Sequence, residues 1–332
     1  MKILVITNKI IWPLDEGGKI ATHQLMMGLH EADCQLHLLS LNTKKHFQDP
    51  STLPPHFNAF QFEASYINTD IKWNKALLNV FSNKSYNVER FESKDFENLL
   101  IRRLTKELYD IIQLENLFCA PYINIIKKYS KAKIILRAHN IEHKIWERLA
   151  TNASNPLKKI YLNFLAGRLK NFELATLKRV DAVVCISESD KNYFSSQQAM
   201  LPVSHATSGV QLSTFPNQQP LNFNHCYHLA AMDWLPNIEA VTWLQDEIWP
   251  QLLNHTKKLQ LHLAGRAFPT YLQQKEITNV TYHGTVTNAA DFIGKKGIML
   301  APLKSGGGIR IKIIEALSYG KVVITTSIGA EG

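Results

Sequence analysis

The 332-residue chain has little cysteine and no long hydrophobic run. Its four cysteines lie 41 to 85 residues apart, which excludes a disulfide-stapled scaffold and a zinc site built from closely spaced cysteines. No apolar stretch reaches the roughly 18 residues that a membrane-spanning helix needs. Internal repeats of about 20–50 residues are also missing. These absences predict a globular protein of the reducing cytoplasm.

Basic residues outnumber acidic ones, and most of the excess lies in the first two thirds of the chain. The 37 Lys and Arg against 28 Asp and Glu give a formal net charge of +9, of which residues 1–210 account for +7. This imbalance favours an anionic partner there, either a phosphorylated molecule or a lipid surface. A solvated basic face that keeps the protein soluble remains the alternative.

Short β-rich apolar runs alternate with segments of helical periodicity along most of the chain. The pattern is interrupted at residues 209–224, which contain two prolines and several Gln and Asn, and it restarts at residue 225. The alternation predicts an α/β fold with parallel sheets. We expect two Rossmann-like doubly wound domains facing a cleft, residues 1–208 and 225–332, joined by a linker at 209–224.

Three consecutive glycines, Gly306, Gly307 and Gly308, stand between a predicted strand and a predicted helix. Glycine lets the backbone come close to a ligand, and a helix N-terminus favours an anion such as a diphosphate. Lys312 and Glu315 lie three residues apart on that helix, where the carboxylate can accept two hydrogen bonds from a ribose diol. A flexible loop before an amphipathic helix with a Lys–Glu ion pair is the alternative.

The second half of the chain contains stretches that carry a family resemblance. They run Tyr282-His-Gly-Thr-Val, Ala301-Pro-Leu and Glu315-Ala-Leu-Ser-Tyr-Gly-Lys-Val-Val-Ile-Thr-Thr. Together they resemble the donor-binding half of retaining glycosyltransferases of the GT-B fold, family 4. Met232-Asp-Trp-Leu-Pro-Asn-Ile-Glu-Ala-Val and Ile248-Trp-Pro are similar to the polysaccharide- and lipopolysaccharide-type sugar transferases of that family.

The resemblance implies an activity and its partners. A sugar would pass, with retention of its anomeric configuration, from a nucleoside diphosphate sugar to a glycan or lipid-linked acceptor in cell-surface polysaccharide synthesis. The donor would bind in the cleft, mainly through the second domain. Because no Asp-x-Asp motif occurs, we expect neither a metal nor another cofactor. Nucleic acid is not an expected partner.

The resemblance also assigns candidate catalytic residues. Glu315 matches the glutamate that binds the donor's ribose, and His139 stands where the family places a histidine facing the transferred sugar. Gly17 and Gly18 match a glycine pair near the donor phosphate and the acceptor. The position of a second family glutamate, which often touches the sugar, is occupied by Gly307.

The positive charge that neutralises the diphosphate must come from other residues than the Arg and Lys that family members use. Family members carry an Arg and a Lys after the first strand of the second domain, and the matching loop here has neither. We therefore expect Arg266, together with Arg310 or Lys312, to supply it.

Two functions of other classes stay open. A non-catalytic nucleotide-sugar-binding or scaffold protein is favoured by the missing acid at Gly307. His139-Asn-Ile-Glu142-His143 fits the pattern of inverted zinc peptidases. Since His139 directly follows a strand-like run, we expect a helix to begin near Ile141 and the two imidazole rings to diverge, against a zinc hydrolase.

Two further expectations concern the surface and the C-terminus. Residues 71–84 and 157–179 mix basic and apolar side chains and could lie on the inner face of an anionic membrane, the alternative being helices packed on the sheet. The sequence ends after the predicted strand 321–326, where relatives of the family continue. We therefore expect an incomplete second domain, with low or absent turnover.

Overall fold

The computed structural model describes residues 1–70, 79, 82, 84–207, 220–307 and 309–331. The chain divides into two compact units, here called unit 1 (Met1–Ser208) and unit 2 (Gly209–Glu331). Most of the predicted linker and of the basic stretch 71–84 lies outside the described residues, as does Gly308.

Unit 1 is built on a seven-stranded parallel sheet in the order β3-β2-β1-β4-β5-β6-β7. The strands are β1 (Lys2–Thr7), β2 (Gln35–Thr43), β3 (Glu63–Ile67), β4 (Ile111–Glu115), β5 (Lys133–Ala138), β6 (Ala182–Cys185) and β7 (Val203–His205). Strand order reverses between β1 and β4, where Thr7 pairs with Glu115. Such a reversal marks the crevice at which doubly wound sheets bind ligands.

Seven described helices flank this sheet, with four short 3₁₀ turns. The helices are α1 (Gly17–Glu31), α2 (Tyr86–Glu89), α3 (Lys94–Lys106), α4 (Ile123–Tyr129), α5 (Glu142–Thr151), α6 (Pro156–Leu177) and α7 (Glu188–Gln197). The turns are Lys44–His46, Pro50–Thr52, Pro55–Phe60 and Leu117–Tyr122. Side-chain oxygens of Ser93, Asn155 and Ser187 cap α3, α6 and α7 by accepting backbone N–H bonds.

The core of unit 1 lies on both faces of its sheet. Successive residues of β1 alternate between the two sides: Leu4 and Ile6 pack into one apolar cluster, and Ile3 and Val5 into the other. All four side chains are buried. Burial on both faces explains why β1 is a continuous apolar run rather than an alternating one.

Unit 2 repeats the plan with five parallel strands in the order β10-β9-β8-β11-β12. The strands are β8 (Asn222–Leu229), β9 (Gln260–Ala264), β10 (Val280–Gly284), β11 (Lys296–Ala301) and β12 (Val322–Thr325). The helices are α8 (Leu235–Trp243), α9 (Trp249–His255), α10 (Thr270–Gln273), α11 (Ala289–Ile293) and α12 (Ile311–Ser318), with a π-helical turn, Leu244–Ile248, between α8 and α9. Trp249 is fully buried, and its indole N–H donates to the carbonyl of Thr278 at 3.0 Å.

The predicted α/β class with two doubly wound, parallel sheets is confirmed. The apolar spacing of residues 237–253 predicts one helix there. The structure has α8, the π turn and α9 in unbroken succession, from Leu235 to His255. On β12, Val322 and Ile324 are about half exposed. Among the described residues, no helix combines the length and apolarity needed to cross a bilayer.

Candidate functional site

The first group of site residues surrounds a buried carboxylate at the switch point of unit 1. Glu115 is the last residue of β4 and pairs in register with Arg137 of β5. His139 follows β5 directly, and its Nε2 lies 2.7 Å from Oε2 of Glu115. Arg137 Nη1 lies 3.3 Å from the same oxygen. Parallel pairing of β4 and β5 therefore brings a carboxylate, a guanidinium and an imidazole together.

Two more donors complete the surroundings of Glu115. Oγ1 of Thr22 in α1 lies 2.8 Å from Oε2, and the amide of Gln113 donates to Oε1. Burial by itself would raise the pKa of Glu115 above its usual value of 4.5. The charge of Arg137 and the hydrogen bond from His139 outweigh burial and lower this pKa to about 2. Glu115 is therefore an anion at physiological pH although its side chain is only 2% exposed.

The start of α1 lies beside the imidazole of His139. Gly17 is the first residue of α1 and Gly18 the second. A Cβ added to Gly18 would lie 3.4 Å from Nδ1 of His139, so glycine keeps space in front of that atom. The structure thus brings His139 and Gly18 together.

A buried lysine and two acidic residues lie at the same end of α1. The ammonium of Lys19 donates to Asp15 at 2.9 Å, and Glu16 pairs with Lys9. Burial by itself would raise the pKa of Glu16. The positive charges of Lys9 and His46 outweigh this effect and hold the pKa well below its usual range. These charges compensate one another within the segment before and at the start of α1.

The two histidines of the zinc-peptidase pattern have different partners. His139 precedes α5 and binds Glu115, whereas His143 lies inside α5. His143 Nδ1 pairs with Glu173 of α6, and its Nε2 lies 3.2 Å from the hydroxyl of Tyr193. Among the described residues, His139, Glu142 and His143 do not form a group whose ligand atoms lie within 4.8 Å of one another. The geometry therefore gives the zinc hydrolase alternative no shared metal position.

The glycine loop of unit 2 is held by an arginine. Gly306 has φ of +109°, a conformation that favours glycine, and a Cβ there would lie 2.7 Å from Nη2 of Arg310 and 2.8 Å from the Trp234 ring. Arg310 donates to the carbonyl of Gly307 and lies over Trp234, 5.5 Å from the ring centroid. The loop backbone, the guanidinium and the indole thus pack as one structure directly before α12.

The remaining candidates of unit 2 form ion pairs near the carboxyl ends of its strands. Arg266 follows β9 and lies 3.1 Å from the carboxylate of Asp233, which follows β8. Lys312 lies 3.0 Å from Glu315, and both side chains are partly buried on α12. The ion pair that the sequence offered as an alternative role for Glu315 is therefore present. A carboxylate with one such partner keeps lone pairs for further donors.

Sequence reasoning missed Glu115, Arg137 and Thr22. The sequence pattern predicts strands at 110–114 and 133–137, so that Glu115 directly follows the first strand and Arg137 ends the second. The other residues of these strands are mainly apolar. A charged residue at the carboxyl end of an otherwise apolar strand was the available signal, because this edge of a parallel sheet carries ligand-binding residues. Thr22 gave no such signal, since a threonine inside a helix is common.

Part of the chain is similar to glycosyl transferases. Residues 225–332 match the family model described as glycosyl transferases group 1. An uncharacterized 44.6 kDa protein in the cps region of Klebsiella pneumoniae is 23% identical over 242 residues. That alignment covers 68% of this chain and 59% of the relative, so the chain spans less than two thirds of the relative's length.

Solved structures with the same fold extend over nearly the whole chain. Sucrose-phosphate synthase from Thermosynechococcus elongatus has a TM-score of 0.68 at 13% identity, covering 99% of this chain and 82% of its own. A variant of S. aureus TarM, in complex with fondaparinux, alpha-GlcNAc-glycerol and UDP, gives 0.63 at 10%, covering 99% and 86%. Anabaena HepE in complex with UDP-glucose gives 0.60 at 12%, covering 99% and 82%. The GT-B fold expected from the sequence is confirmed.

The buried carboxyl group of Glu142 should make the free energy of unfolding depend on pH. Burial and then the charge of Glu173 raise the pKa of Glu142 to about 8 from a usual value of 4.5. Between these values the folded chain holds a proton that the unfolded chain releases, so this group lowers the free energy of unfolding as pH rises from 4.5 towards 8. Glu142→Gln, which is neutral throughout, should lose less stability over that interval than the wild type.

Urea unfolding followed by circular dichroism across the interval measures this difference. The matched control is Glu147→Gln on the same helix, where the carboxylate is 44% exposed. A Glu142→Gln profile parallel to that of the wild type would contradict the prediction.

Proposed function

We propose that the protein transfers a sugar from a nucleoside diphosphate sugar to a glycan or lipid-linked acceptor, with retention, in cell-surface polysaccharide synthesis. The observation that carries this proposal is the loop of Gly306 and Gly307, braced by Arg310 before α12, within the segment that matches glycosyl transferases group 1. The complexes of HepE with UDP-glucose and of TarM with UDP support a nucleotide-sugar donor. The cps-region relative supports the role in surface polysaccharide.

Unit 2 supplies the groups for the donor. The backbone N–H groups at the start of α12 and the guanidinium of Arg310 would stabilise the negative charge of the diphosphate. Lys312 and Arg266 would add positive charge, each being partly neutralised by its carboxylate partner. Glu315 would accept hydrogen bonds from the ribose hydroxyls through the lone pairs that Lys312 leaves open.

Unit 1 supplies His139 and the glycines at the start of α1. We assign His139 to the transferred sugar and Gly17 and Gly18 to the donor phosphate and acceptor. No carboxylate is assigned as a nucleophile, and Glu115 is buried and held by His139, Arg137, Thr22 and Gln113. The leaving diphosphate itself would assist attack of the acceptor hydroxyl on the same face of the sugar. The proposal includes no metal and no further cofactor.

A panel of nucleotide sugars read by thermal shift, followed by release of the nucleoside diphosphate, tests the function. A ligand at 100 times its dissociation constant adds about 2.7 kcal/mol to the stability of the folded state. Binding with release upon addition of a glycan or lipid-linked acceptor supports the transferase. Binding without any release supports the nucleotide-sugar-binding protein that the missing acid at Gly307 favours.

Glu315→Ala should weaken donor binding by about 1.5–3 kcal/mol, since it removes a charged acceptor of ribose hydrogen bonds. Calorimetric titration with the nucleotide sugar found by the panel measures the loss. The matched control is Glu97→Ala, which breaks a Lys–Glu pair of the same spacing on α3, with Lys94 Nζ at 2.7 Å. Equal donor affinity in Glu315→Ala and Glu97→Ala would contradict this prediction. It would show that Glu315 only pairs with Lys312 and does not bind the donor.

His139→Ala should slow transfer while leaving donor affinity within about twofold of the wild type. The reason is that the imidazole is assigned to the sugar and acts in the transition state rather than in nucleotide binding. Initial rates at saturating donor, with titration of the donor in parallel, separate the two effects. His255→Ala, at an exposed position of α9, serves as the control. A loss of donor affinity equal to the loss of rate would contradict this assignment.

We further propose that the protein is cytoplasmic and contacts the inner face of an anionic membrane through the first turns of α6. Leu157 is 79% and Ile160 67% exposed, and Tyr161 and Phe164 continue the same helical stripe. Lys158 and Lys159 lie exposed among them. An apolar stripe flanked by lysines is the arrangement with which a helix binds at an anionic lipid surface.

Substitution of Leu157 and Ile160 together by serine should reduce binding to vesicles that contain phosphatidylglycerol. Sedimentation with vesicles at low and physiological salt measures binding, which should also weaken as salt screens the lysines over about 8 Å. Leu108→Ser is the control, because Leu108 is 88% exposed but isolated from this stripe. Unchanged sedimentation of the double variant would show that α6 is not the contact.

A further inference from the structure

The hydrogen bonds around Glu115 determine which nitrogen of His139 carries a proton. Four groups lie within hydrogen-bond distance of this carboxylate: His139 Nε2 at 2.7 Å, Thr22 Oγ1 at 2.8 Å, Arg137 Nη1 at 3.3 Å and the Gln113 amide. An ionised carboxylate only accepts, and it offers about four lone-pair sites. Nε2 of His139 therefore donates a hydrogen to Glu115.

When the ring of His139 is neutral, its other nitrogen is an acceptor. In a neutral imidazole one nitrogen is protonated and the other holds a lone pair, so Nδ1 of His139 has its lone pair exposed. Among the described residues, no hydrogen bond reaches Nδ1. The nearest space is kept open by Gly18, where a Cβ would lie 3.4 Å from Nδ1.

His143, a buried histidine of unit 1, shows a pair whose two ring nitrogens are both used inside the fold. His143 Nδ1 pairs with Glu173, and its Nε2 lies 3.2 Å from the hydroxyl of Tyr193. Both ring nitrogens of His143 are thus used inside the fold. His139 has the same kind of buried glutamate on one side, and on the other side only the space beside Gly18.

We propose that Glu115 is a positioning residue, which locks His139 in the Nε2–H tautomer and presents Nδ1 as a hydrogen-bond acceptor to a hydroxyl of the bound sugar or acceptor. Arg137 and Thr22 hold the carboxylate from β5 and α1, so the ring orientation is fixed before a ligand binds. The identity of the ligand rests on the proposed glycosyl transfer, whereas the tautomer is a property of the chain alone.

Nitrogen-15 spectra of the histidine rings in the full chain test the tautomer without any substrate. His139→Gln identifies the signal of His139 by its disappearance. Above about pH 8, where an ordinary histidine is neutral, we expect a protonated Nε2 and an unprotonated Nδ1. A proton on Nδ1, whether from averaging between tautomers or from a doubly protonated ring, would overturn the proposal.

A variant then links the tautomer to turnover. Glu115→Gln alone would leave Arg137 buried without its anion, which endangers folding. We therefore combine Glu115→Gln with Arg137→Met, which removes both charges together. A glutamine can turn either its oxygen or its amide N–H to His139, so both tautomers should become populated.

In this double variant we expect kcat to fall by about 10²-fold, the effect of displacing a reacting group by about 1 Å, with the donor dissociation constant within about twofold. UDP release from UDP-glucose, or from the donor found by the panel, gives kcat. Glu173→Gln is the matched control at the other buried pair. It should leave the His139 spectrum unchanged and should not lower kcat relative to KM.

The outcomes separate this inference from the proposed function. A single Nε2–H tautomer in the wild type that becomes mixed in the double variant supports Glu115 as a positioning residue, even if no nucleotide sugar is turned over and the proposed function fails. A double variant that retains the single tautomer, or that loses kcat no more than Glu173→Gln does, overturns the proposal.

Discussion

The buried carboxylate of Glu115 is the interaction on which the organisation of unit 1 around its switch point depends. An unpaired anion in the interior would be strongly destabilising, so its position requires cationic and hydrogen-bonding partners with good geometry. Those partners come from β5, from α1 and from the residue that follows β5. The same bonds that compensate for burial of the charge therefore also fix α1 and His139 against the end of the sheet.

The two units use different means at the corresponding edges of their sheets. Unit 1 places side-chain charges there, most of them paired within the protein, as Lys19 with Asp15 illustrates. Unit 2 places backbone there, in a loop whose shape depends on Gly306 and on Arg310 packed over Trp234. In general, the backbone N–H groups at a helix N-terminus and a fixed guanidinium favour an anion, because such donors need little reorganisation when it binds.

Much of the fold could be predicted because its determinants are local. Apolar runs of strand length, such as 2–7 and 133–137, and helical periodicity between them were enough for two doubly wound sheets. Helix bounds were less accurate: the apolar spacing predicts a helix at 309–319, whereas α12 spans Ile311–Ser318. Of the site, the glycine loop was visible from its residue types between a strand and a helix, whereas His139 was assigned through the family resemblance.

The sequence by itself determined the class of fold, the division into alternating strands and helices, and the residue types available at the ends of the strands. Tertiary structure alone decided which side chains meet. Glu115, Thr22 and His139 lie as many as 117 residues apart in the sequence, and only the pairing of β4 with β5 and the packing of α1 bring them within hydrogen-bond distance. Likewise, the sequence contained two histidines four residues apart, but the start of α5 between them gave each a different glutamate. The physical reason is that the hydrophobic pattern of a segment indicates which of its own residues are buried. A hydrogen-bonded network depends instead on how different strands and helices are aligned with one another.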